Sequence, residues 1–400
     1  MSTPPRDRVV ESASRRVVES TPRPLEGSTP RRLEDSRPTY AEISLTAFER
    51  NVDAIVSRLP AGTRLIALLK ADAYGHGAVA LARRCAPEKV AMIGVALLEE
   101  ALELRAAGIA LPILVLGPLS ETQVRIALDH DITLGVPGPE ELEHVAHVAR
   151  ERDVAIHLKL DSGMGRMGVV ETELPRVVEL IRSAPRLRVE ALYTHFANAG
   201  DPRDPFTGHQ LARFETLVET LREAGLSAPK HHASNSAATE RGITPGDFVR
   251  VGIALYGGQA LDEPPTANRQ PPTTPLMRWR TEIARLKELP PGHAIGYGTT
   301  FHTQRASRIA TLPVGYADGY NRRLSNRAEV LVRGKRVPVV GRVSMDLTTI
   351  DVTDVDAEVG DEVVLLGDGI TAEELAAKID TISYEVFCGV SKRVPRLYRE

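Results

Sequence analysis

Cysteine is scarce. The 400-residue chain has two, Cys85 and Cys388, far apart in sequence. That spacing excludes a disulfide framework and suits free thiols in a reducing compartment. Long apolar runs are also missing, so no segment reaches the length of a membrane span. The N-terminus lacks the apolar core of a secretory signal. Strong charge of either sign is absent too. A formal net charge of −3 gives no electrostatic reason to expect nucleic acid or an anionic membrane as partner. What remains is 42% apolar and 26% charged residues, ordinary for a globular protein with a sizeable core. The expectation is a cytoplasmic enzyme of two domains, or of one large barrel plus an appendage.

Residues 1–39 lack sustained periodicity and any aromatic before Tyr40, and nearly repeat themselves as STPRPLEG and STPRRLED. Arg, Pro, Ser, Thr and Glu dominate, so this stretch reads as a disordered tail. From Arg64 onward, short apolar runs alternate with helical patterns. The runs are 64–70, 90–97, 112–117, 132–136, 154–161, 187–196, 230–235 and 248–257. Ser120 and Gln123 have capping-box spacing before the helix that follows the third run. Eight buried strands separated by helices favour a closed (β/α)8 TIM barrel over residues 40–262, ahead of an open doubly wound sheet. A proline-rich stretch, 262–275, reads as an extended linker. Beyond it, short strand patterns broken by Gly and Pro, with one helix after Thr371, predict a mainly β C-terminal domain over 263–400.

In such barrels the functional groups follow the C-terminal ends of the strands. Those positions hold Lys70 and Tyr74, then Lys159, Asp161 and Arg166, then His195, Asn235 and Ser236, and finally Arg250, Gly252 and Ile253. Any strand must end in something polar, which accounts for each residue singly. It accounts less well for two lysines and an arginine inside or at the end of apolar strands. Phosphate commonly binds in the loops after strands seven and eight, where Asn235, Ser236 and the Gly252–Ile253 amides lie. An amine one strand away suits an aldehyde held by that phosphate, and pyridoxal phosphate combines both groups.

The ordered blocks LLKADAYGHG, LKLDSGMGRMG, THFANAG, VRVGIALYG, IGYGTTF, PVGYADGYNRRLS, GRVSMD and ISYEVFCGVSKRVPR closely resemble the alanine racemase family, from about Tyr40 to Arg399. The resemblance implies a pyridoxal-phosphate enzyme interconverting L- and D-alanine, supplying D-alanine for peptidoglycan. It implies a homodimer with shared sites. Lys70 matches the Schiff-base lysine and first base, and Tyr297 the opposing base, reaching in from the other subunit. Arg250 matches the partner of the pyridine nitrogen. Tyr74, Ser236, Gly252, Ile253 and Tyr384 match the phosphate cradle, and Asn235 matches a further cofactor-binding residue. Arg166 matches a residue near the cofactor hydroxyl and substrate carboxylate. His195 matches the group beside the ring, and Lys159 a lysine this family often carries as a carbamate. Tyr316 and Met345 match residues lining the access and carboxylate side.

Racemisation removes a proton from one face and returns it to the other, so two opposed acid/bases suit it. An arginine opposite the pyridine nitrogen donates only and keeps its proton, which weakens the electron sink. Two positions depart from the commonest family form: Asp72 replaces asparagine and Ser344 replaces cysteine. The GxGxxG pattern at 163–168 follows the fifth strand, not the first βα turn that a dinucleotide fingerprint would open. Three rivals stay open. A serine or broad-spectrum racemase differs only in pocket shape. A decarboxylase of this fold would want an acidic group in place of Arg250. A non-catalytic cofactor carrier would resemble the barrel alone. At most one of His231 and His232 can face the barrel interior.

Overall fold

The computed structural model describes residues 37–262 and 273–400. The expected tail up to residue 36, and the linker over 263–272, lie outside the described residues. The expected tail boundary at residue 39 is too late. Thr39 is buried, with its hydroxyl 2.8 Å from that of Thr281 and donating to Pro313 O at 2.9 Å.

The barrel bounds expected from the sequence, 40–262, take in strand β1 (Tyr40–Ser44). It pairs instead with residues 277–280 on one side and 396–399 on the other, inside the second sheet. The first and last strands of the described residues therefore lie side by side in the C-terminal domain. Ser44 then caps the helix Leu45–Val56 by accepting the Ala47 N–H at 3.1 Å. That helix buries Phe48, Val52 and Ile55, spaced to face the barrel.

Among the described residues, eight parallel strands form the barrel. They are β2 (Arg64–Leu68), β3 (Val90–Val95), β4 (Ile113–Val115), β5 (Ile132–Val136), β6 (Val154–Lys159), β7 (Leu187–Tyr193), β8 (Lys230–His232) and β9 (Phe248–Val251). Each falls within one of the eight apolar runs. The order β8-β7-β6-β5-β4-β3-β2-β9 brings the last strand against the first, with Ile66 opposite Arg250. The ring closes between β8 and β9 through the Arg250 N–H to Ser234 O at 2.9 Å and the Asp247 N–H to His231 O at 2.8 Å. The expected capping box forms, with Ser120 N–H donating to Gln123 Oε1 at 3.1 Å.

The C-terminal domain adds β10 (Met277–Glu282), β11 (Arg285–Leu289), β12 (Ala294–Ile295), β13 (Phe301–His302), β14 (Ser307–Leu312), β15 (Glu329–Val332), β16 (Lys335–Pro338), β17 (Thr348–Asp351), β18 (Glu362–Leu366) and β19 (Arg396–Arg399). One sheet runs β16-β15-β18-β10-β1-β19, a second β11-β14-β17, and β12 and β13 form a hairpin. The helix Ala372–Ile379 starts at Thr371, whose hydroxyl accepts the Glu374 N–H at 3.1 Å. A second helix, Ser383–Gly389, was not expected and carries Tyr384 and Cys388. It packs on the turn that follows β2: a Cβ on Gly75 would meet Phe387 O at 2.4 Å. The two domains therefore share the rim of the barrel.

Candidate active site

The turn after β2 is the least ordinary backbone in the molecule. Ala71, Asp72, Ala73 and Tyr74 all have φ near +52°, a left-handed turn built without glycine. Side-chain Cβ atoms make this conformation costly, about 1–2 kcal/mol per residue. Fixed partners hold it. The Ala71 N–H donates to Glu100 Oε1 at 2.6 Å, and Asp72 Oδ1 accepts the Ala78 N–H at 2.7 Å. His76 Nδ1 lies 3.0 Å from Ala73 O and 2.9 Å from Tyr74 O. Strain held by over-determined contacts is a mark of functional sites. Here it places Lys70 at the barrel rim and swings Tyr74 across it.

Four cationic side chains converge at this rim. The Lys70 amine is pushed below its ordinary value by burial, then by Arg166, with Arg250 adding to the effect. Lys159 is pushed down to about 8 by burial, then by Arg166 and Arg250. Arg250 is 2% exposed, and burial lowers it to about 10. The nearby carboxylate of Asp161 is committed elsewhere, accepting the N–H groups of Gly163, Met164 and Gly165 at 2.8, 2.9 and 2.9 Å. It thereby shapes the glycine-rich loop that carries Arg166. This excess of positive charge is a site built for an anion.

Arg250 shows what that anion must offer. Its Nη1 lies 2.6 Å from His232 Nδ1 and donates to His232 O at 3.1 Å. Its Nη2 donates to Thr194 O at 2.6 Å and Ala233 O at 3.0 Å, and lies 3.2 Å from His195 Nδ1. Every acceptor is neutral. The Tyr193 ring lies 5.4 Å below the guanidinium carbon. Among the described residues the Nε–H has no protein acceptor, so one donor remains for a ligand. Burial, followed by Arg250, holds His195 well below its ordinary value, so it is neutral and can accept.

A second cluster gathers hydroxyl and amide groups at the ends of β8 and β9. Asn235 caps the helix Ser236–Glu240, its Oδ1 accepting the Ala238 N–H at 3.0 Å. Ser236 Oγ accepts the Gly252 N–H at 2.9 Å. A Cβ on Gly252 would lie 2.4 Å from the Tyr74 hydroxyl, and the Tyr74 and Tyr384 rings are 5.9 Å apart. The fold thus brings Tyr74, Ser236, Gly252, Ile253 and Tyr384 together. Burial pushes the Tyr384 phenol up to about 12, so it is a donor at neutral pH.

Pyridoxal phosphate fits these residues. The cradle offers hydroxyl and amide donors to a phosphate, Arg250 keeps one donor for a ring nitrogen, and Lys70 offers an amine with a lowered proton affinity.

The remaining expected residues lie on the C-terminal domain and face solvent. Tyr297 is 73% exposed and makes no side-chain hydrogen bond among the described residues. Tyr316 and Met345 are also exposed, and the Tyr316 N–H donates to Ser344 O at 2.9 Å. None of the groups acting on Lys70 comes from these loops.

Three interior residues were missed: His157, Tyr193 and His232. Of the histidine pair, His232 is the one that faces inward, while His231 packs on Phe214 outside. His157 shares a face with Lys159, two positions on, and a polar residue in that phase of an apolar strand was the available signal.

The chain matches the family model for the alanine racemase N-terminal domain over residues 43–260 and that for the C-terminal domain over 276–398. It belongs to the alanine racemase family. An alanine racemase of Halothermothrix orenii is 41% identical over 372 residues, covering 90% of this chain and 97% of that protein. The solved alanine racemase of a D-cycloserine-producing Streptomyces lavendulae superposes with a TM-score of 0.85 at 36% identity, covering 91% and 98% of the two chains. That of Bartonella henselae, with covalently bound pyridoxal phosphate, gives a TM-score of 0.83 at 28% identity, covering 91% of this chain and all of that one.

Proposed function

We propose that this protein is a pyridoxal-phosphate-dependent racemase that interconverts L- and D-alanine, as a homodimer whose two chains complete each other's sites. The donor count at Arg250 carries this reading. A decarboxylase of the fold would want a carboxylate against the pyridine nitrogen, whereas this position holds a guanidinium surrounded by neutral acceptors. The C-terminal domain with Tyr297 argues against a bare cofactor carrier.

When bound, pyridoxal phosphate supplies a carbonyl for the substrate amine and a ring that acidifies the α-hydrogen. The chain supplies the rest. Tyr74, Ser236, Gly252, Ile253 and Tyr384 hold the phosphate, with Asn235 fixing the start of the helix beneath it. Lys70 accepts or returns a proton at Nζ on one face, its basicity matched to the task by burial and Arg166. Tyr297 of a second copy performs the complementary transfer at its phenol oxygen on the opposite face. Its 73% exposure in one chain is what a residue destined for a neighbour's site would show. Arg166 holds the substrate carboxylate, and Lys159, lowered to about 8, is in a state suited to carbamate formation beside it. Tyr316 and Met345 line the approach. Arg250 does not give up its proton to the ring, which limits side reactions.

D-alanine made this way would serve peptidoglycan synthesis in the cytoplasm, and no helix among the described residues is long and apolar enough to cross a membrane. Serine is the rival substrate, because one hydroxyl in a pocket of this kind changes discrimination by roughly 1–3 kcal/mol. The test is a racemisation assay over a panel of L- and D-amino acids, with and without added pyridoxal phosphate. Cofactor-dependent interconversion fastest for alanine is expected. Cofactor-dependent release of carbon dioxide, or binding of cofactor without turnover, would overturn the assignment.

A further inference from the structure

The hydrogen-bond geometry beneath Arg250 fixes two protons. A guanidinium donates and never accepts. His232 Nδ1, at 2.6 Å from Arg250 Nη1, must therefore carry a lone pair, and the His232 proton sits on Nε2. That Nε2 lies 3.0 Å from His157 Nδ1, so His157 Nδ1 accepts in turn and its own proton sits on Nε2. The chain Arg250 → His232 → His157 runs one way. Adding a proton to either ring would set two donors against each other at 2.6 or 3.0 Å.

The surroundings keep both rings in place. His232 is fully buried and His157 is 2% exposed. His232 stacks on Tyr193 at 4.8 Å and 5°, and meets Phe248 edge-on at 6.0 Å. His232 also accepts from Nη1 through its backbone carbonyl. One residue thus takes both Nη1 protons, while Thr194, Ala233 and His195 share those of Nη2. Nε–H is left over, and its direction follows from where His232 holds Nη1. Among the described residues no carboxylate hydrogen-bonds to Arg250, so neutral acceptors and the Tyr193 face alone hold this buried charge.

We propose that His232, its tautomer fixed by Arg250 and its Nε2–H taken up by His157, is a positioning residue for Arg250. It aims the leftover Nε–H into the site and holds the guanidinium without a carboxylate. This rests on the assignment of Arg250 to the cofactor ring, but its first test does not need the cofactor. In cofactor-free protein carrying 15N-labelled histidine, side-chain NMR should show His232 and His157 as neutral rings with Nδ1 unprotonated and Nε2 protonated. A protonated Nδ1 on His232 would overturn the proposal whatever the enzyme does.

The second test reads cofactor affinity by absorbance titration, together with the rate at which the enzyme-bound cofactor is lost to the amine form. His232→Leu removes the acceptor. It should weaken affinity at least about tenfold, as expected for a hydrogen bond to a charged group, and speed the side reaction. His232→Gln offers an amide oxygen and should recover most of both. His157→Leu leaves the buried His232 Nε2–H without its acceptor, loosening the ring, and should speed the side reaction with a smaller loss of affinity. If the His232→Leu protein does not fold, the Gln and His157 variants with the NMR spectrum still decide. Equal affinity and side-reaction rate in all folded variants would refute the role. Failure of the wild-type protein to bind pyridoxal phosphate would instead refute the functional assignment above.

Discussion

Replacing Gly252 by alanine places a methyl carbon 2.4 Å from the Tyr74 hydroxyl oxygen and 3.0 Å from its Cζ. Ordinary contact begins about 1 Å farther out, so the phenol must withdraw or the β9 end must move. The phenol has little room. Its ring lies 4.8 Å from that of Tyr256, whose hydroxyl donates to Leu68 O at 2.6 Å, and its backbone belongs to the left-handed turn. The backbone at Gly252, with φ −118°, is outside the left-handed region, so the effect is one of contact with Tyr74. Overpacking of this kind costs about 1–3 kcal/mol. Spent at the cradle, that is roughly 5–150-fold in cofactor affinity. Titration of cofactor-free Gly252→Ala protein with pyridoxal phosphate measures it. Tyr74→Phe removes the atom of closest contact, so the double variant should bind better than the sum of the two single losses predicts, by about 1 kcal/mol or more. An affinity for Gly252→Ala within about twofold of wild type, or strictly additive losses, would refute the picture of Tyr74 leaning over Gly252.

Ala71→Gly should stabilise the protein by about 0.5–1 kcal/mol, because relief at φ +52° outweighs the extra chain entropy; a lower melting temperature would contradict the left-handed turn. His76 and His157 are each lowered by burial from the ordinary 6.5 to about 4. Their neutral forms contribute stability in full above about pH 6.5, and it is lost as pH falls toward 4, up to ~3 kcal/mol per ring. Urea midpoints that stay level between pH 7 and 5 would contradict this. Arg250→Glu should retain cofactor binding and raise side reactions; equal side-reaction rates in variant and wild type would count against the role of the guanidinium.

The barrel could be read from the chain because its strands are apolar runs bounded by Gly, Pro and polar residues, and each run became a strand. Lys70, Lys159 and Arg250 stood out because a cation in such a run needs a reason. Other features left no local signal. Residues 40–44 alternate as any half-buried strand does, and nothing in five residues says that their partners are 240 and 350 positions away. The sequence Ala-Asp-Ala-Tyr favours a helix but does not state its hand; the partners that impose the left-handed turn are Glu100 and Ala78. The helix Ser383–Gly389 lacks a side-chain cap and is too short for a clear period. Most acceptors of Arg250 are backbone carbonyls, which no sequence pattern marks. Tyr297 could be named by resemblance, and the role proposed for it calls for a second molecule.

That dependence gives the most direct test. Lys70→Ala and Tyr297→Phe chains should each be inactive alone. Unfolded together and refolded, they form mixed dimers in which one site carries both defects and the other carries neither. Racemisation should then return to roughly a quarter of the wild-type rate on statistical mixing. No activity in the mixture, with mixed dimers present, would show that each chain works with its own two bases and would contradict the shared site.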